Sequence, residues 1–314
     1  MRWAVAFIVL FACGGSAIAQ VDAGGTAAAA LHRECLDGNL PRCAALGMQY
    51  REGRGVTRDL SKSAIYFLRA CAEAPPNNPY CREAGFGMGI AEESSSGRDE
   101  LAAAFAAIAQ ACGGGALHDC NVYGMVQLLG MTSAVAKNTE RGTATLARSC
   151  AGGIGAACGN LADAYLSGGD VDKDAKKAAD FYGKACDKGF AAGCTAVGTL
   201  IHVDKEIPGD AASAFPHFRR GCDGGDATGC VAVGHFYANG EGVEKDPVGA
   251  ARAFKKACDL RDVRGCQGLA VIYKQDPDGA AATFKKACGI DLQQCAGYEA
   301  FLEGIRGGEA FRKR

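Results

Sequence analysis

The sequence has almost no net charge and, beyond its N-terminus, no long apolar run. Lysines and arginines number 34, and aspartates and glutamates number 35, which leaves a formal charge of −1 over 314 residues. Proteins that bind nucleic acid usually concentrate basic residues on one surface, so we expect no nucleic-acid partner. After the N-terminal leader, no segment is apolar enough for a membrane helix, so we expect no transmembrane span after processing.

Catalytic signatures are missing as well. The sequence has no H-E-x-x-H, no Walker glycine loop and no G-x-S-x-G. The glycines of "GFGMG" (residues 85–89) resemble part of a dinucleotide motif, but they follow a cysteine in a helical segment and are better explained by helix packing. The histidines keep no common spacing to one another or to the cysteines; they are His32, His118, His202, His217 and His235. We therefore expect no catalytic residue, no cofactor and no metal.

The N-terminus has the pattern of an export signal. An apolar run over residues 3–12 follows Arg2 and is too short to span a bilayer comfortably. The tripeptide at 17–19, Ala-Ile-Ala, fits an A-x-A cleavage site, so residues 1–19 are predicted to be a signal peptide. Two alternatives stay open: a lipoprotein signal ending before Cys13, with lipid on that residue, or an uncleaved anchor helix. The protein is expected in the periplasm or outside the cell, either free or anchored through Cys13.

Cysteine is unusually frequent, with 17 residues, of which 16 follow Cys13. Export places them in an oxidising compartment, where cysteines pair. Structural zinc sites usually separate ligands by two to four residues. When the 16 cysteines are taken two at a time along the chain, the two members of each pair are instead 8, 10, 8, 8, 8, 8, 8 and 7 positions apart. We predict eight disulfides between successive cysteines: Cys35 with Cys43, Cys71 with Cys81, Cys112 with Cys120, Cys150 with Cys158, Cys186 with Cys194, Cys222 with Cys230, Cys258 with Cys266, and Cys288 with Cys295.

The pairs recur with a period near 36, which indicates a helical solenoid. Twelve positions before each later first cysteine is a residue expected to cap a helix: Asp59, Glu100 (with Asp99 as a substitute), Asn138, Asp174, Asp210, Asp246 and Asp276. Four before the first cysteine, position −4, is a large apolar residue: Phe67, Ile108, Leu146, Tyr182, Phe218, Phe254 and Phe284. Pro216 lies inside one predicted helix and should kink it or delay its start.

A second helix is expected to begin near the second cysteine of each pair. Four residues after that cysteine, position +4, only glycine or alanine occurs: Gly47, Gly85, Gly124, Ala162, Gly198, Gly234 and Ala270. In the first helix, a small residue eight positions before the cysteine accompanies the large residue at −4, and this alternation predicts that neighbouring helices interlock. Glycine-containing turns between the two cysteines reverse the chain and bring the thiols together.

These motifs resemble a known repeat. "Y-x-x-G-x-G-V-x-x-D", "A-x-x-x-[FY]-x-K-A-C" and "G-C-x-x-x-G" are similar to the Sel1-like repeat, which is related to tetratricopeptide arrays. The cysteine pair in each repeat resembles the secreted Helicobacter cysteine-rich proteins. The resemblance implies an all-α fold, an α/α solenoid or superhelix cross-linked by disulfides. We assign 20–26 to a short linker, 27–295 to a solenoid of about seven repeats, and 296–314 to a C-terminal capping helix and tail.

The function expected from this architecture is binding. Some members of the cysteine-rich family are described as penicillin-binding or weak β-lactamases, but S-x-x-K, S-D-N and K-T-G are all absent here. We therefore favour an exported, non-catalytic scaffold that binds a protein or peptide, and keep the β-lactamase-like enzyme as the alternative.

The partner is expected to contact positions one and five residues after each second cysteine, which do not recur in type and lie opposite the packed face of the helix. The candidates are Met48, Arg82, Phe86, Asn121, Met125, Asp163, Thr199, His235, Gln267 and Val271. Met48, Phe86 and Met125 would form an apolar patch. Two other interpretations stay open: these positions are merely solvated, or the apolar ones pack against the N-terminal helix.

Overall fold

The computed structural model describes residues 26–74 and 79–272. Within these ranges the chain forms fourteen α-helices and no strand. The helices are α1 Thr26–Leu36, α2 Leu40–Glu52, α3 Leu60–Ala72, α4 Pro79–Glu92, α5 Ser95–Gly113, α6 Leu117–Leu129, α7 Thr139–Ala151, α8 Gly155–Ser167, α9 Ala175–Asp187, α10 Ala191–His202, α11 Ala211–Asp223, α12 Ala227–Asn239, α13 Pro247–Asp259 and α14 Val263–Ile272. The all-α prediction is confirmed.

Several sequence expectations fall on other residues. The signal peptide at 1–19, the lipid site at Cys13, the Cys288–Cys295 pair, the cap at Asp276 and the C-terminal segment 296–314 lie outside the described residues. These expectations stay predictions.

The chain divides into two compact bodies between Ser149 and Cys150. The N-terminal body, up to Ser149, has a core built around large side chains from α2, α3 and α5, which include Leu46, Phe67, Leu101, Phe105 and Ile108. The C-terminal body, from Cys150, has a core built around aromatic side chains of α9 and α11 to α13, which include Tyr182, Phe218, Phe236 and Phe254.

Seven of the predicted disulfides lie within the described residues, and all seven pairings are confirmed. Each joins the last turns of one helix to the first turns of the next, as Cys258 in α13 and Cys266 in α14 do. The Cα atoms of the bonded cysteines lie 4.3 to 4.7 Å apart. A cysteine pair eight residues apart can bond because the intervening turn makes the two helices antiparallel.

Most of the predicted caps are confirmed. Asp59, Asp174, Asp210 and Asp246 each accept a hydrogen bond from a backbone N–H in the first turn of the following helix. Asn138 does the same for the N–H of Arg141. These side chains satisfy amides that the helix itself leaves without an acceptor.

The prediction is wrong at Asp99 and Glu100, which lie inside α5. Ser94 caps this helix instead, because its hydroxyl accepts a hydrogen bond from the Gly97 N–H at 3.0 Å. Serine is among the preferred cap residues, and with Ser94 in this role α5 begins five to six residues earlier than predicted and runs for 19 residues. Of the two effects expected of Pro216, a kink or a late start, the late start does not occur, since α11 begins directly after its cap, Asp210.

Large and small residues interlock as the repeat predicts. A Cβ built on Gly47 would lie 3.1 Å from the ring of Phe67, and one on Gly234 would lie 2.6 Å from the ring of Phe254. Two other glycines at position +4 contact a large side chain at position −4 of the next helix in the same way, Gly124 with Leu146 and Gly198 with Phe218. The absence of a side chain at +4 therefore lets the following helix approach closely.

Helix α4 departs from this rule. A Cβ built on Gly85, its +4 glycine, would meet no atom of the described residues within 4 Å beyond its own helix and chain neighbours. The close approach of α4 is made two residues later, where a Cβ on Gly87 would lie 2.9 Å from Ala64 of α3. The packed face of α4 is thus rotated away from the position that the repeat predicts.

Candidate functional site

In the N-terminal body, the predicted partner positions are divided between surface and core. Arg82 is exposed, and Phe86 leaves 67% of its surface open to solvent. Met48 is half-buried against the core, and its sulfur lies 2.9 Å from a guanidinium nitrogen of Arg51.

Asn121 and Met125 are buried, so the expectation that they line an open surface is wrong. The Asn121 side-chain amide donates to the carbonyl of Ala72 at 2.8 Å and to the Glu73 carboxylate at 3.1 Å. Helix α6 is therefore covered on the face where α4 is open. The apolar patch predicted from three residues reduces to Phe86 together with part of Met48.

In the C-terminal body, the first predicted position contacts a neighbouring helix through a hydrogen bond. Asp163 is half-buried and accepts a hydrogen bond from the hydroxyl of Tyr182. Burial raises the pKa of the Asp163 carboxyl, and the hydrogen bond from Tyr182 opposes that rise. Burial, together with the neighbouring Asp163 carboxylate, also raises the pKa of Tyr182. Asp163 thus joins α8 to α9, and its contact with a partner stays a prediction.

Three of the other predicted positions in the C-terminal body form a row across three helices. Thr199, His235 and Val271 occupy the same repeat position in α10, α12 and α14, and each is 36 residues from the next. Helix α10 contacts α12, and α12 contacts α14. Val271 is 65% exposed, His235 is exposed, and Thr199 and Gln267 are half-buried. The His235 ring packs edge-on against Phe254, with ring centroids 5.1 Å apart.

One turn farther along the same face are two exposed residues that the sequence reasoning missed. They are Val203, which is 64% exposed and directly follows α10, and Asn239 at the end of α12. Both lie four residues after a predicted position, so extending the helical period by one turn would have found them. We call Thr199, Val203, His235, Asn239 and Val271 the α10–α12–α14 row.

A buried polar cluster connects α1, α3 and α6 of the N-terminal body. Arg69, which is 3% exposed, forms an ion pair with the Asp119 carboxylate. Beside it, His118 Nδ1 lies 2.9 Å from a Glu73 carboxylate oxygen, and His32 Nδ1 lies 2.8 Å from the Tyr66 hydroxyl.

These contacts shift the titration of both histidines. The hydrogen bond to Glu73 raises the pKa of His118, and burial opposes it. Burial lowers the pKa of His32, and the neighbouring Arg69 charge adds to that effect. No sequence motif marks this cluster, since its partners are separated by 34 to 50 residues. Its arrangement holds three helices together.

An open cleft of about 310 Å³ lies between α5, α6 and the start of α7. Its walls include Phe105, Tyr123, Gln127, Asn138 and Arg141. Gln127 occupies the repeat position that holds tyrosine in four other repeats. The lining of the cleft is mixed and its mouth is wide, which fits a solvated surface.

Two further properties concern possible sites in the described part of the chain. Residues 26–74 and 79–272 contain no group of three or more His, Cys, Asp and Glu side chains placed to hold a metal ion. Across the same ranges, no helix combines the length and hydrophobicity that crossing a membrane requires.

The fold and the bonded pairs define a disulfide-clamped α/α repeat protein. The family model described as Sel1 repeat matches residues 43–74, 155–190 and 227–262. The chain therefore contains Sel1 repeats, as the sequence motifs predict. No curated protein matches the chain, and its relation to the Helicobacter cysteine-rich proteins stays a prediction.

Two solved structures share the fold. One is a protective antigen present in uropathogenic Escherichia coli strains that displays an SLR fold, with a TM-score of 0.52 and 21% identity over 84% of this chain. The match spans 56% of that protein's own length. The other is a Sel1 repeat protein from Oxalobacter formigenes, with a TM-score of 0.53 and 24% identity, which covers 62% of this chain and 85% of its own.

Proposed function

We propose that this protein is an exported, non-catalytic scaffold that binds a protein or peptide partner through the α10–α12–α14 row. The observation that carries the proposal is that equivalent helices of successive repeats touch one another and together expose Val203, Val271 and His235. Sel1 repeats generally serve protein–protein interaction, which supports this use of the row. An extended or helical segment of a partner can cross several such helices at once.

The disulfides support the export part of the proposal. Bonded cysteines persist in oxidising compartments and are rare in the reducing cytosol. Seven bonded pairs within the described residues therefore indicate folding in the periplasm or outside the cell. Cleavage after residue 19 would also remove Trp3, the single tryptophan of the chain. Protein recovered from the envelope should then lack tryptophan fluorescence, and tryptophan emission would contradict the cleavage site.

The partner surface is tested by capture from a cell-envelope extract. The oxidised protein should retain a specific partner, and the double variant Val203→Glu with Val271→Glu should weaken the measured Kd at least tenfold, because it places charge in an apolar contact. Val248→Glu is the matched control, since Val248 is 66% exposed but lies on α13, outside the row. Equal binding by the double variant and the control would reject the row as the binding surface.

The non-catalytic part has a separate test. We expect no turnover of a chromogenic β-lactam by the purified oxidised protein. Turnover that disappears when the active site is titrated would favour the penicillin-binding or β-lactamase-like alternative instead.

A further inference from the structure

Helix α4 carries an exposed face that no other described element covers. Its exposed residues recur at helical spacing: Arg82, Gly85, Phe86, Gly89 and Glu93, the last directly after the helix. Its buried residues occupy the opposite side: Ala84, Gly87, Met88 and Ala91. A phenylalanine flanked by small residues on the solvent side departs from the usual order, in which the solvent side of a surface helix is polar.

The two glycines beside Phe86 leave an open slot. Elsewhere in this chain the +4 glycine receives a large side chain of the next helix, as Gly234 receives Phe254. Among the described residues, no atom outside its own helix and chain neighbours would lie within 4 Å of a Cβ built on Gly85 or on Gly89. This surface therefore carries both parts of the interlock, an aromatic side chain and a place for one, and no element within residues 26–74 and 79–272 uses either part.

The same face is self-complementary about one axis. Phe86 and Gly89 lie equally far from the midpoint between Gly87 and Met88, and so do Arg82 and Glu93. A two-fold axis through that midpoint places Phe86 of each copy on Gly89 of the other, and Arg82 of each copy opposite Glu93 of the other. Neither Arg82 nor Glu93 forms an ion pair with another described residue.

We propose that two copies of this chain associate through antiparallel α4 helices, with Phe86 of each copy packed into the Gly85–Gly89 slot of the other. The arrangement is isologous, because each surface contacts its own equivalent. Glycines allow the helix axes to approach closely, and burial of two phenylalanines supplies the apolar contribution. The surface is independent of the α10–α12–α14 row, which belongs to the C-terminal body.

The expected dimer is weak. One helix face per copy buries less than the roughly 1,600 Å² of a standard stable interface. We therefore expect a dissociation constant on the order of micromolar, and a monomer–dimer equilibrium that is visible only when concentration is varied.

Sedimentation equilibrium of the full oxidised chain, measured at concentrations below and above the expected micromolar dissociation constant, tests the proposal. Phe86→Ala should raise the dimer dissociation constant at least tenfold, whereas Val248→Ala, which truncates an equally exposed residue on α13, should leave it unchanged. Gly89→Leu should also abolish the dimer without lowering the melting temperature of the monomer, because the added side chain would displace none of the described residues. A monomer at every concentration, or a dimer unaffected by Phe86→Ala, would overturn the proposal.

Charge reversal tests the register. Arg82→Glu alone and Glu93→Arg alone should each weaken the dimer, because like charges then face each other across the axis. The double variant should restore it, since each pair is rebuilt with its sign reversed. Failure of the double variant to recover would reject the antiparallel arrangement. Capture of an envelope partner through the row is a separate readout, so that either proposal can fail alone.

Discussion

At residue 261, the turn between α13 and α14 holds an arginine where other repeats hold glycine. Its φ is +67°, and the equivalent Gly189 and Gly225 have φ of +83° and +93°. Residues other than glycine adopt this left-handed backbone conformation at an energetic cost, because their Cβ atom comes too close to the following carbonyl oxygen. The turn thus has the same left-handed residue in the repeats that hold Gly189, Gly225 and Arg261, but position 261 retains a local strain.

Arg261→Gly should therefore stabilise the protein by about 0.5–1 kcal/mol, the relief of left-handed strain less the added entropy of an unfolded glycine. Arg261 is exposed, so little packing is lost. The reverse change, Gly225→Arg, should destabilise by about 1–2 kcal/mol. Denaturant unfolding with the disulfides intact measures both changes. A destabilised Arg261→Gly variant would show that the side chain contributes a contact that outweighs the strain.

The His118–Glu73 contact predicts a pH-dependent stability. Its hydrogen bond raises the pKa of His118 above the ordinary 6.5. The folded state therefore favours the protonated ring, and this stabilisation is fully present below the unfolded pKa and is lost as the pH rises through the raised folded pKa. His118→Gln should lower the free energy of unfolding more at about pH 5.5 than at about pH 8.5.

His32→Gln is the matched control, because burial lowers the pKa of His32. The folded state disfavours the proton at that site, so the native protein loses stability there as the pH falls below the unfolded pKa. The effect of His32→Gln should therefore be smaller at the acidic pH. The same pH trend for both variants would contradict the assignment of opposite shifts.

At the scale of the helix, the contact between glycine and a large side chain explains the spacing of neighbouring helices. Gly234→Ala forces a methyl group to within 2.6 Å of the Phe254 ring and should destabilise the protein by about 1–3 kcal/mol through overpacking. Gly183→Ala in α9 should instead stabilise by roughly 0.5–1 kcal/mol, because that glycine has open space and lies inside a helix. Thermal unfolding of the two variants should shift in opposite directions, and a neutral Gly234→Ala would contradict the interlock.

The helices also show where sequence patterns reach their limit. The Asp caps and the +4 glycines are recognised by their spacing to the cysteines of the same repeat. In most repeats the structure places both where this spacing predicts. Helix α5 begins at Ser95 because Ser94 competes as a cap, and the open face of α4 follows from its contact with Ala64 through Gly87. The burial of Asn121 depends on Ala72 and Glu73, 49 and 48 residues away. Such contacts leave no periodic trace in the sequence.

At the scale of the whole molecule, the disulfides hold each α/α pair together independently. Peptide mapping under non-reducing conditions should find only the eight predicted pairs, including Cys288 with Cys295, and no free thiol. A bridge such as Cys43 to Cys112 would contradict the predicted pairing. Replacing Cys222 and Cys230 together by serine should cost roughly 2.5 kcal/mol, the chain-entropy contribution of a nine-residue loop.

The sequence by itself determined the helix pairs, their caps, their bonded cysteines and the kind of repeat, because each depends on residues within one period of about 36. Tertiary structure alone decided which equivalent positions face solvent. Phe86 and Met125 occupy the same repeat position, yet Phe86 is exposed and Met125 is buried. The difference arises because burial depends on helices distant in the chain, and α4 leaves open the face that α6 has covered.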